Sequence, residues 1–293
     1  MPTESLEPSS HALRTISPEE VAALRARPQF QDAVALGARS AIEHVPADLT
    51  FHRAMSDVGT MLLGIIALYL HYTTGLSHRQ LRNLGGTGSL VSAGRATAIL
   101  WRLQHLGYVQ ACTEYRKGEV RLYQPTDSLI AAFRARSIAE ARSAGLLDPI
   151  CLTMAAQYTD EVFQRLMIEQ GHMILAAARQ PNSFVAPLNA LSMKTSGMMI
   201  IYTLIDSAFA QGAGRACGSA EFSAVAAARR FGVSRTHIAR FLREMEAADY
   251  IERTENQNRV ILTEVFAEVY ETYFSFGQIA FARSCRIALA GAH

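Results

Sequence analysis

"RRFGVSRTHIARFLREMEAADYIER", residues 229–253, carries six arginines on a stretch that otherwise has the pattern of a half-buried helix. Ile238, Phe241, Leu242, Met245 and Ala248 recur at i, i+3, i+4, i+7 and i+10, one apolar stripe of an α-helix. Ser234 stands ahead of the stripe as an N-cap whose hydroxyl accepts from a free backbone N–H of the first turn. Arg235, Thr236, Ala239, Arg240 and Arg243 fall off the stripe, so the polar face is basic at its start, while Glu244 and Glu246 acidify its end. A solvated amphipathic helix has this pattern. So does a recognition helix, which packs its stripe on a preceding helix and enters the DNA major groove with its first turns.

The flanks separate these readings. Residues 222–230 are expected to form a short helix with Val225 and Ala226 inward, and Gly232 supplies the left-handed residue of a tight turn. Downstream, 250–254 and 259–262 are short runs rich in β-formers around a polar 255–258, the pattern of a hairpin. Helix, turn, helix and hairpin make up a winged helix, and a merely solvated helix requires none of these neighbours.

The same order occurs earlier. "LSHRQLRNLGGTGSLVSAGRATAILWRLQHLGYVQ", residues 76–110, aligns without gaps on residues 218–252, with Ser92 on Ser234, Leu100 on Leu242 and Tyr108 on Tyr250. Its wing is longer, with strands expected at 108–113 and 119–123, and Thr126 then corresponds to Thr263. Further out, "GTMLLGIIALYLHY" (59–72) resembles "GMMIIYTLIDSAFA" (197–210), and the stretch from Phe30 resembles that from Phe163. The expected organisation is a flexible tail (1–19), a first helical plus winged-helix repeat (20–148), a junction (149–151) and a second repeat (152–293). Repeats of this size are domains, not solenoid units.

A chain of 293 residues, 49% hydrophobic, is long enough for two cores. The polar first fifteen residues lack the apolar stretch of a signal peptide. The most apolar run, 58–69, falls short of the ~20 residues of a membrane helix. The expectation is a cytoplasmic protein with no membrane partner. Cys112, Cys151, Cys217 and Cys285 are dispersed, which reads as four reduced thiols. The formal net charge is only +2, but its distribution matters more. Residues 77–121 hold seven Arg and Lys against two Glu, while 219–260 hold seven Arg against six acids. In the second module Arg229, Arg230, Arg235 and Arg240 all precede Glu244, so its phosphate-facing end is still positive.

Enzyme readings find little support. "GGTGSLVSAGRAT" has neither the third glycine nor the lysine of a phosphate loop, and a helix is expected before it. Its glycines are read as lengthening the first helix-turn-helix turn. The nine histidines form no metal-ligand spacing, and no cofactor is expected.

"FGVSRTHIARFLREMEAADYIER", "RVILT" (259–263) and "VSAGRATAILWRLQHLGYV" resemble the multiple-antibiotic-resistance regulator (MarR) family of winged-helix transcription factors, over about half the chain. The resemblance implies a mainly α fold with small β-hairpin wings and a double-stranded DNA partner. Family members are usually homodimers with one module per subunit, whereas one chain here holds two. The family wing carries an Asp, one residue and an Arg that reaches the minor groove; the first copy offers Glu114 and Arg116, the second only Asn256 and Asn258 before Arg259. The family also binds small aromatic or amphipathic effectors between its helical region and its winged modules. His52, Tyr69, His71, Tyr72, Met154, Met193, Met198 and Met199 could line such a space, although Met and aromatic residues at helical spacing are more often core.

The fusion implies a single-chain pseudo-dimer. Helices at 56–72, 129–144, 160–179, 196–210 and 264–289 are expected to join the halves. In the second module Ser234, Arg235, Thr236, His237 and Arg240, with Arg230 and Arg259, are assigned to base edges and phosphates, and this module to sequence discrimination. In the first, Arg79, Arg82, Ser92, Arg95, Arg116 and Lys117 are assigned mainly to phosphates. Two readings stay open beside this one: further pairing of two chains, and a winged-helix module that has lost operator binding and docks a protein.

Overall fold

The computed structural model describes residues 16–43, 49–85, 91–112, 120–178, 186–254 and 258–291. The protein is mainly helical, with two small antiparallel sheets. Ser17 opens α1 (Pro18–Arg25): its hydroxyl accepts from the Glu20 N–H, and the Glu20 carboxylate accepts in return from the Ser17 N–H at 2.8 Å. Ile16 is buried ahead of this cap. Residues 16–19, read from composition as the end of a 1–19 tail, are fixed by this capping box and by the apolar anchor. α2 (Phe30–Glu43), α3 (Leu49–Ala54) and α4 (Val58–Tyr72) follow, the last opened by an Asp57–Thr60 capping box. Then come α5 (His78–Gly85), α6 (Ala93–His105), β1 (Val109–Ala111), β2 (Tyr123–Pro125) and α7 (Asp127–Leu147).

The 149–151 junction lies at the start of a helix, α8 (Ile150–Ala156), with Cys151 fully buried. Beyond it run α9 (Asp160–Ala178), α10 (Ala186–Ser192), α11 (Gly197–Ala210) and a strand the sequence pattern does not announce, β3 (Gly218–Glu221). The chain continues through α12 (Ala224–Phe231), α13 (Arg235–Ala247), β4 (Ile251–Arg253), β5 (Arg259–Leu262) and α14 (Glu264–Ala290).

Three expectations need correction. α12 starts two residues later than expected because Ser223, not an earlier residue, caps it through the Ala226 N–H. That phase buries Ala227, Ala228 and Phe231 and leaves Val225 41% exposed with Ala226. Ala248 is exposed, because it caps α13 and lies past its last buried turn. The first-wing strand expected at 119–123 starts only at Tyr123, where Leu76 on one side and Ala111 on the other offer backbone partners.

β3, β5 and β4 lie in that order, with Leu262 of β5 facing Gly218 and Ile251. Around β2 the Leu76 bridge stands where β3 stands against β5. Both halves enter their sheets identically. Tyr108 and Tyr250 each donate back to the last turn of the preceding helix, at Leu103 and Met245, both at 2.9 Å. Gly107 and Asp249 ahead of them take positive φ, and their carbonyls accept from the hydroxyls of Thr126 and Thr263.

The helices outside these units exchange partners. α2 packs on α7 and also on α11; α9 packs on α14 and also on α4. At the α4–α9 crossing a methyl on Gly171 would sit 2.6 Å from Tyr69, so only glycine permits that approach. One apolar cluster gathers α4, α6, α7, α9 and the Phe281, Cys285 and Ala288 end of α14. The other gathers Phe30, Val34 and Ala38 of α2 with α11, α12, α13 and the Phe266–Tyr270 end of α14. Each cluster draws a helix from the other half of the chain. A fully buried Phe or Leu contributes about 1.5–3 kcal/mol, so each exchanged helix is a structural member of the core it joins. Glu271, buried on α14, is held by Arg25 and Arg215 at 2.9 and 3.0 Å and clamps α1 to α14. Among the described residues no helix is long and apolar enough to cross a membrane.

Candidate nucleic-acid interface

α13 is built as its sequence suggests. The Ser234 hydroxyl accepts from the His237 N–H at 3.1 Å, and Ile238, Phe241, Leu242 and Met245 are buried. Gly232 closes α12 at φ 66°, a left-handed conformation that favours glycine, with the movable Arg53 guanidinium 2.9 Å from where a methyl would stand. Arg235, Thr236 and Arg240 are exposed on the first turns, and Arg259 is exposed on β5. Among the described residues Arg235 and Arg259 make no ion pair.

Two assigned contacts turn inward instead. Arg230 donates to the Ile42 carbonyl at 2.7 Å, in the last turn of α2 where helix carbonyls lack partners of their own. The His237 ring pairs through Nε2 with the Thr195 carbonyl at 2.9 Å, and Arg240 donates to Nδ1 at 3.3 Å. A carbonyl only accepts and an arginine only donates, so this His237 carries its proton on Nε2.

The first half repeats the cap and changes the load. Ser92 accepts from the Arg95 N–H at 3.2 Å, and Ile99, Leu100 and Leu103 are buried. Arg95, assigned to phosphate, forms an ion pair at 2.5 Å with buried Asp57. A desolvated carboxylate needs that cation, which is the physical reason for the correction. Arg79 and Arg82 are exposed on α5 and, among the described residues, unpaired. The outward face of α6 carries Ala93, Gly94, Ala98 and Trp101, the last 66% exposed. Arg116 and Lys117, with the rest of that wing tip and Asn256, lie outside the described residues.

Arg95 and His237 therefore share a role: each is the third residue after a capping serine, and each braces its helix to the segment that leads into α4 or α11. Those two segments touch. Ser196 donates its backbone N–H to the Ser56 carbonyl. Ser196 sits at φ 55°, buried, with its hydroxyl unpartnered among the described residues. Lys194 adds an ion pair to Glu244 of α13 at 2.8 Å. Nothing local in the sequence marks these braces except the Asp57-x-x-Thr60 cap.

Behind the crossing lies a cavity of about 220 Å³, bounded by α4, α7, α9, α11 and α14. Of the eight residues expected to line an effector space, only Met198 and Met199 do so. His52 packs on Phe231, Tyr69 on His172, His71 on Tyr72, and Met154 is fully buried. Burial, reinforced by Arg53 and Arg230, pushes the His52 imidazole down to about 4, and its Nε2 has no partner among the described residues.

Two of the cysteines dispersed in sequence meet in space: Cys151 of α8 and Cys285 of α14 make a thiol–thiol contact in the first core. That contact and burial push the Cys285 thiol far up, which leaves it protonated and unreactive. Among the described residues no group of three or more His, Cys, Asp or Glu could hold a metal. Comparison with known proteins finds no matching family model, no matching curated protein and no matching solved structure.

Proposed function

We propose that the protein is a MarR-like, internally duplicated winged-helix regulator that binds double-stranded DNA as a single-chain pseudo-dimer. The observation that carries this reading is α13: capped at Ser234 and anchored by its buried stripe, it turns Arg235, Thr236 and Arg240 to solvent beside the β4–β5 hairpin. The paired sheet entries at Tyr108 and Tyr250 support the duplication, and the reciprocal packing of α2 and α9 supports a pseudo-twofold. Two such helices about one DNA turn apart, ~34 Å, would read half-sites in successive major grooves. Arg235 and Arg240 meet bases and phosphates; Arg79, Arg82 and Arg259 meet phosphates.

Selection of bound duplexes from a random pool, followed by affinity against salt, tests the reading. One asymmetric motif with steep salt dependence is expected, since each neutralised phosphate releases counterions. No enrichment, or salt-insensitive binding, would refute it. Trp101 favours a second reading for the first module alone: a 66% exposed indole beside Gly94 and Ala98 is a face for a protein rather than for base edges.

A further inference from the structure

The outward face of α6 has a chemistry that α13 lacks. Ala98, Trp101, Arg102 and His105 are exposed at i, i+3, i+4 and i+7, one continuous side of the helix. In the alignment of the two modules Ala93, Ala98 and Trp101 stand where α13 carries Arg235, Arg240 and Arg243, so apolar surface replaces cations. The indole has neighbours. Its ring lies 6.2 Å from that of His78, which meets Tyr123 edge-on at 5.1 Å, and the Arg121 guanidinium lies 5.8 Å from the Tyr123 ring. Leu122 lies against Gly75, where a methyl would stand 3.3 Å from it, and stays exposed with Val120.

Positive charge surrounds this surface. From Leu76 to Pro125 the described residues include Arg79, Arg82, Arg95, Arg102 and Arg121 and no carboxylate. Arg95 is taken by Asp57, and the other four make no ion pair among the described residues. Tryptophan and arginine are the residues on which binding energy concentrates at protein interfaces. A duplex offers the indole little, because its bases are stacked on one another and are read by the first residues of a recognition helix, whereas Trp101 lies in the third turn of α6. Uncompensated guanidinia repel a basic segment and steer an acidic one. We infer that this face of α6 docks a partner protein through an acidic segment with an aromatic or leucine anchor. The anchor covers Trp101 beside Ala98, and flanking carboxylates meet Arg102 and Arg121. This rests on the second reading of the first module given above and requires nothing of α13.

Trp101 is the only tryptophan of the chain, so its fluorescence reports this face alone. The probe is a synthetic amphipathic peptide of about 15 residues, near the shortest length at which an isolated helix persists, with Leu and Phe on one face and Asp and Glu on the other. Two matched peptides carry Lys in place of the acids, or Ser in place of Leu and Phe. Titrated into the full chain, the acidic peptide is expected to shift Trp101 emission to the blue, saturate at one per chain and bind at least about tenfold more tightly than either control. Trp101→Arg installs the residue that α13 has here and adds attraction for acids, yet it should weaken binding of the labelled peptide at least about tenfold. Arg102→Glu combined with Arg121→Glu should do the same. Both variants should keep the urea midpoint, since all three side chains are exposed. Absence of saturable binding, a Lys peptide that binds as tightly as the acidic one, or binding undiminished in either variant overturns the inference. So does a duplex that shifts Trp101 emission to the blue and binds Trp101→Arg less tightly, which assigns the face to DNA. Arg235→Ala should weaken a selected duplex and leave peptide binding unchanged. A chain that binds the peptide but no duplex refutes the DNA reading and leaves the docking face standing; a chain that binds a duplex but no peptide loses the docking face alone.

Discussion

α6 and α13 have the same frame and different surfaces. Both begin after a capping serine, both bury four residues of an apolar stripe, and both spend their third residue on a brace, Arg95 to Asp57 and His237 to Thr195. What remains outside differs: Arg235, Thr236 and Arg240 on α13, against Ala93, Gly94, Ala98 and Trp101 on α6. The braces differ too. One is a charge pair with a desolvated carboxylate; the other is a single bond between neutral groups. The comparison teaches that a cation at the start of a helix is not by that fact available to a ligand, because its partner lies in another segment.

Breaking the braces should separate the halves most. Asp57→Ala removes the α4 cap and strands Arg95, and should cost about 3–4 kcal/mol in urea unfolding, moderated because Arg95 is over a third exposed. His237→Ala should cost only about 1 kcal/mol. Acid is expected to act through His52, which packs on Phe231 of α12. Its folded pKa of about 4 lies below the unfolded value of about 6.5, so stability is complete above pH 6.5. As pH falls from 6.5 towards 4 the unfolded chain takes the proton first, and up to about 3 kcal/mol is lost. Urea midpoints against pH should show that slope, and His52→Leu should flatten it.

Function should divide the halves in the opposite sense. Arg235→Ala is expected to weaken a selected duplex roughly tenfold to hundredfold and a scrambled one much less. Equal losses on both would assign Arg235 to phosphate. Arg79→Ala and Arg82→Ala should weaken both duplexes alike and lower the salt slope by about one each. The smallest effect is expected at Trp101, where alanine should change stability by within about 0.5 kcal/mol, as measured by urea unfolding.

The sequence makes legible what is local. Ser234 with its stripe, Gly232, and the 259–262 strand depend on residues within a turn or two, and the structure carries them as written. β3 was not legible, because Gly-Ser-Ala-Glu has little strand character and exists only by pairing with Arg259–Leu262, about forty residues away. The phase of α12 escaped because its inward face is chosen by packing on α3 and α13, not by its own short pattern. An ungapped alignment also hides a difference in the turns: seven residues join α5 to α6, but three join α12 to α13. Of the site, the exposed arginines were legible. Arg95, Arg230 and His237 were not, because Asp57, Ile42 and Thr195 lie about forty or more residues away along the chain.

The exchanged helices set an order on synthesis. The cluster built around α4 and α9 is closed by Phe281, Cys285 and Ala288, so its final surface stays wet until those residues clear the ribosome. The nascent N-terminal half must wait, with its apolar faces open, for a stretch translated more than a hundred residues later, and a chaperone that shields such faces would have its longest engagement there.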